Sequence, residues 1–226
     1  MARSWKRISA YLGIIGGIIF IITTFIAMLT YPGGYSFFEN YFSELGLTVI
    51  NLQPSMLNYV LFNIACTSAA VCLLPFVFAM RTVFTETGVL KGLSWVGTIL
   101  VIAAAPNLSA LALFAASLLG YEHFLTTMLF FLLITLGILV YSIAILLNKN
   151  YGNLYALIGF VVVVICFLHV GAFFSSAFDM FGTALWQKLS VYALILWSAF
   201  QGYRLLKVFD GKAEQLHGDT KGPHLG

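Results

Sequence analysis

Four side chains stand out for chemistry in a chain that otherwise carries little of it: Glu44, His123, His169 and Asp179. A carboxylate beside an imidazole is an elementary unit of proton transfer, and the same groups supply the oxygen and nitrogen donors that zinc accepts. As a catalytic set, Glu44, His123, His169 and Asp179 would serve acid–base or nucleophilic hydrolysis, with Ser43 or Ser176 as the hydroxyl partner. As a metal set, Glu44, Glu122, His123 and Asp179 would offer oxygen and nitrogen ligands to zinc. His169, Ser176 and Asp179 are spaced by seven and three, which lays them along one broad helix face. Against both readings, the chain has no His-x-x-His or His-x-x-x-His pair and no Gly-x-Ser-x-Gly elbow. The structural alternative puts Glu39 and Glu122 among lipid headgroups, has His123 cap or bridge helices, and makes His169 a satisfied polar residue of the core.

The elements that must position these groups follow from composition. Of 226 residues, 61% are hydrophobic and 8% charged, against roughly 25% charged in a soluble domain. A water-soluble fold could not hide that much apolar surface, whereas a bilayer asks for about 20 apolar residues per crossing. The reading is an all-α, polytopic transmembrane helix bundle of about six spans, at 9–30, 57–80, 92–117, 123–147, 154–177 and 186–207. Residues 1–208 form the transmembrane domain, and 209–226 are expected as a disordered tail. Pro106 leaves the third span open to two descriptions: a kinked helix running to about 117, or a helix ending there with 107–120 re-entrant. Between the first two spans, a segment rich in Tyr and Phe without Lys or Arg, from 35 to 56, is expected in the membrane interface.

Charge placement orients the bundle. With six spans, Arg3, Lys6, Arg7, Arg81, Lys91, Lys149, Arg204, Lys207, Lys212 and Lys221 share one side, and Lys188 alone falls on the other. The positive-inside rule then places both termini in the cytoplasm of a cell membrane. The same orientation gathers Glu39, Glu44, Glu122, His123 and Asp179 at the outer side. The three cysteines, Cys66, Cys72 and Cys166, lie in apolar runs and read as small buried hydrophobes rather than as a disulfide framework. Gly13 and Gly17 fit a small-xxx-small spacing, read as packing inside the bundle. No Walker loop, dinucleotide fingerprint or haem-attachment motif occurs, and the aliphatic inner halves of the spans argue against a continuous ion path.

The run Asn40-Tyr41-Phe42-Ser43-Glu44-Leu45-Gly46, with Pro54 and Asn63 downstream, resembles the signature of a prokaryotic membrane family catalogued as domain of unknown function 998. Pro106, His123 and the pair Phe130 and Phe131 match further positions, and the resemblance covers roughly 8–207. It implies a bundle of six or so spans. The chain departs from that pattern where Asn107 replaces a frequent acidic residue and where Gln187 replaces a carboxylate opening the last span. More distantly, the Ser-Glu-Leu-Gly element is similar to one in a eukaryotic membrane family that includes lipid-anchor remodelling factors. These readings converge on a membrane protein associated with lipid or serving as an accessory to another membrane subunit. An intramembrane lipid-modifying or hydrolytic enzyme is the alternative and a small-molecule transporter the third. The lipid bilayer is the expected partner, and nucleic acid is not.

Overall fold

The computed structural model describes residues 4–175 and 182–218, with side chains as far as Gly211. Six α-helices follow in order: α1 (Ser4–Leu29), α2 (Met56–Arg81), α3 (Gly88–Leu113), α4 (Gly120–Leu147), α5 (Asn153–Phe174) and α6 (Thr183–Gly218). Each helix packs on the next and α6 returns to α1, so the bundle closes into a ring. Short connections at 82–87, 114–119 and 148–152 make successive helices antiparallel.

Five of the six, α1 to α5, are long and apolar enough to cross a membrane. α6 falls outside that set for a legible reason. Gln187, Lys188, Ser190 and Gln201 lower its hydropathy, yet all four are buried in the ring. α6 also continues past residue 208 to Gly218, so the expected tail begins as helix.

Close approach is bought with glycine at several ring contacts. A Cβ on Gly16 would lie 2.9 Å from Cys72 Cβ of α2, and one on Gly17 would lie 2.6 Å from Ile195 of α6. The small residues of α1 therefore serve two neighbours inside the bundle.

Pro106 does not end α3. Its missing N–H leaves a carbonyl one turn back without the usual donor, and the helix continues to Leu113. Asn107 Nδ2 donates to the Ala103 carbonyl at 2.8 Å, a bond that a carboxylate at this position could not make.

One end of the ring is tied by basic residues. Arg204 donates to the carbonyls of Tyr151 and Asn150, both at 2.7 Å. Asn150 Nδ2 reaches Glu86 at 3.2 Å. Arg7 and Asp210 form an ion pair at 3.4 Å, and Arg81 lies 3.9 Å above the Trp95 ring. The other end is closed by the chain between α1 and α2. A turn at Gly33 and Gly34, both with positive φ, leads into a 3-10 helix (Phe42–Gly46). Strands β1 (Val49–Ile50) and β2 (Gln53–Pro54) then pair as a short hairpin. Its two central residues, Asn51 and Leu52, have φ of 50° and 64°, the mirror-image turn that suits the twist of a hairpin.

Candidate functional site

The 3-10 helix plugs one end of the ring. Phe42 and Leu45 are buried, with Phe42 edge-on to Phe20 of α1 and Tyr192 of α6. A Cβ on Gly46 would lie 2.5 Å from Phe62, so this glycine serves close approach to α2.

Glu44 organises the polar side of this plug. Its Oε1 accepts from the Tyr41 N–H at 3.0 Å, and its Oε2 accepts from Asn40 Nδ2 at 2.7 Å and Tyr31 Oη at 3.1 Å. The carboxylate thus caps its own short helix instead of bonding a neighbouring long one. Burial, followed by the adjacent Glu44 charge, pushes the Tyr31 phenol up to about 12.

Asn40 carries the link onward. Its backbone carbonyl accepts from Tyr35 Oη and from the ammonium of Lys188. Lys188 also donates to the Ala184 carbonyl at 3.3 Å. The rings of Tyr35, Phe37 and Phe42 stand 5.5, 5.3 and 5.8 Å from Nζ. Lys188 is fully buried, so this cation is held by two carbonyls and three aromatic faces, arrangements that repay part of its desolvation. Two further bonds pin the plug to α6: Gln187 Oε1 accepts from the Phe42 N–H at 2.7 Å, and the Tyr41 and Thr183 hydroxyls are bonded to each other.

His123 lies elsewhere. Its Nδ1 approaches the carbonyls of Leu111 at 2.8 Å and Phe114 at 3.0 Å. Carbonyls only accept, so Nδ1 carries the proton, and His123 caps the end of α3 from the first turn of α4. His123→Phe is expected to lower stability by about 1–3 kcal/mol, because buried carbonyls lose their donor. Unfolding in detergent read by circular dichroism checks this; His123→Asn, which restores a donor, should recover part of the loss.

His169 is completely enclosed, and among the described residues neither ring nitrogen has a hydrogen-bond partner. Phe131 stands edge-on to it at 4.4 Å and Phe173 tilts against it at 5.3 Å. The expectation of a satisfied core histidine is not met among the described residues. Glu122 is exposed. Asp179 and Ser176 lie outside the described residues. Among the described residues, Glu44 and His123 share no bond and no bonding partner. Among the described residues, no group of three or more His, Cys, Asp or Glu gathers as a metal site would require. The free cysteines form no bridge, and Cys66 and Cys166 are buried.

Sequence reasoning missed two residues of α6. Lys188 entered only as the odd cation in the charge count, although the aromatics Tyr35, Phe37 and Phe42 were the signal for its cage. Gln187 entered only as a departure from a family pattern.

Inside the ring, under the plug, runs a cavity of about 110 Å³. Its wall residues extend from Gln187 to Ser198 on α6 and from Thr127 to Ile138 on α4, a length of about 16 Å at the helical rise. Phe20, Phe62, Phe130, Leu194 and Ile195 are typical of its wall. It is a slot along the bundle axis with a mostly apolar lining.

No curated protein and no solved structure matches the chain. A family model described as Protein of unknown function (DUF998) matches residues 14–202. That span runs from the first helix to the sixth and includes the plug, the α3 cap and the cage. The chain is an integral membrane protein and belongs to this DUF998 family.

Proposed function

We propose that the protein is a lipid-associated membrane protein that holds a hydrocarbon chain in the axial slot of its ring. The observation that carries this reading is the slot itself: long, narrow and walled by apolar side chains from α1, α2, α4 and α6. An apolar cavity left empty forfeits dispersion contacts along its whole lining, and water gains nothing by entering it. A lipid tail is the apolar ligand that a bilayer supplies in excess.

In this reading all six helices cross a cell membrane. The end tied by Arg7, Arg81 and Arg204 faces the cytoplasm with both termini, and the plugged end faces outward. The sixth crossing is supported by the inward burial of the polar residues of α6. Cysteines introduced at Leu52 and at Asn150 test the orientation, since the native thiols lie within helices. A membrane-impermeant maleimide on intact cells should label Leu52→Cys and spare Asn150→Cys; the opposite pattern overturns the orientation.

The lipid test is compositional. Protein purified in mild detergent should retain about one acyl lipid per chain by native mass spectrometry. The slot-filling pair Ala69→Leu and Ser198→Leu should release most of it while the unfolding midpoint holds or rises. Wild-type protein that is free of acyl lipid would sink the reading.

A further inference from the structure

The polar atoms of the slot are unevenly spent. Thr127 gives its hydroxyl to the His123 carbonyl at 2.7 Å, and Ser198 gives its own to the Ile195 carbonyl at 2.9 Å. Both are satisfied within their helices and offer no free donor. Gln187 is different. The Phe42 N–H can only donate, so the carboxamide atom 2.7 Å from it must be the oxygen. That contact fixes the orientation of the amide and leaves the NH2 end over. Gln187 is 5% exposed and lines the slot, and its NH2 has no partner among the described residues. Ser43, next in sequence to Phe42, lines the slot at the same end, and its hydroxyl has no partner there either. An otherwise apolar slot therefore carries unspent donors at its plugged end.

We infer that the slot binds an acyl group by its carbonyl oxygen, with Gln187 Nε2 and Ser43 Oγ donating to that oxygen and the hydrocarbon running down between α1, α2, α4 and α6. The inference rests on the lipid-tail reading above and adds the polar half of the ligand. Donors without acceptors select a ligand that brings an acceptor, because a plain alkane leaves them unpaired in an apolar enclosure. A free fatty acid and an ester-linked membrane lipid both carry the required carbonyl.

Equilibrium binding of radiolabelled hexadecane, palmitate and methyl palmitate to the detergent-solubilised full chain tests this, since all three present the same hydrocarbon. Palmitate, methyl palmitate or both should bind about tenfold more tightly than hexadecane, the ratio expected for hydrogen bonds made in a mostly apolar site. Preference for palmitate alone assigns the ligand to free fatty acids; equal preference for the methyl ester assigns it to ester lipids. Gln187→Met should abolish the preference while hexadecane affinity, which reports an intact slot, stays within about twofold. Ser43→Ala, which breaks no bond within the protein, should by itself reduce the preference about threefold. Equal binding of all three ligands to the wild type overturns the carbonyl site and leaves the lipid-tail reading standing. Failure of all three to bind overturns both, and a preference that survives Gln187→Met and Ser43→Ala overturns the assignment of donors.

Discussion

Replacing Lys188 with Met is expected to lower the stability of the folded bundle by about 2 kcal/mol, less than the 3–5 kcal/mol of a broken buried ion pair because the ammonium is held by carbonyls and rings and reaches Glu44 only through Asn40. The loss has a specific route. Lys188 is enclosed, and its ammonium holds the Asn40 carbonyl; the Asn40 side chain in turn holds Glu44. Without the cation, the Asn40 carbonyl loses one donor and Glu44 loses a nearby positive charge. Met fills most of the volume and keeps the contacts with Tyr35, Phe37 and Phe42, so the effect isolates charge from packing. Glu44→Gln should also destabilise, since an amide cannot accept at both of its ends. The double variant should cost less than the sum of the single ones, because the two charges are coupled through Asn40. Chemical unfolding in mixed micelles provides the measurement. Strict additivity would show that the cage and the carboxylate act separately.

Opening the ring should be costlier still. A Cβ at Gly202 would lie 2.7 Å from the Ala10 carbonyl oxygen, and 3.1 Å from Ile14. The first of these neighbours is backbone and cannot rotate away. Gly202→Leu is therefore expected to destabilise by about 3 kcal/mol or more by forcing α6 off α1. Gly92→Ala is the matched control: beyond its own helix backbone, no atom of the described residues lies within 4 Å of its would-be Cβ, and relief of glycine's backbone entropy in a helix should stabilise by about 0.5–1 kcal/mol. Thermal unfolding in detergent with both variants side by side separates ring closure from helix propensity. A neutral Gly202→Leu would mean that α1 and α6 do not close the bundle.

These effects lie in different layers of information. Hydropathy and length alone determine that the chain is a membrane helix bundle, because about 20 apolar residues in a row have few other uses. α1 to α5 are legible that way. The family was legible from the run Asn40 to Gly46 and its companions, and the family model that matches residues 14–202 bears the family out. The course of α3 beyond Pro106 was not, since whether a proline kinks or ends a helix depends on who satisfies the freed backbone; here the chain continues to Leu113 and His123 covers the end.

What only the tertiary structure decided is which polar groups meet. Glu44 and His123 are both polar neighbours of the same bundle end in any linear reading, yet they bond to different partners, because hydrogen bonds are short and a helix turn's rotation redirects a side chain entirely. Lys188 looked like an exception to a charge rule and is a caged cation, since its partners come from a segment far upstream in the chain. Gln187 looked like a lost carboxylate and is one of the residues that tie the plug to α6. The composition that set the fold could not show this, because hydropathy counts what a residue is and takes no account of what it faces.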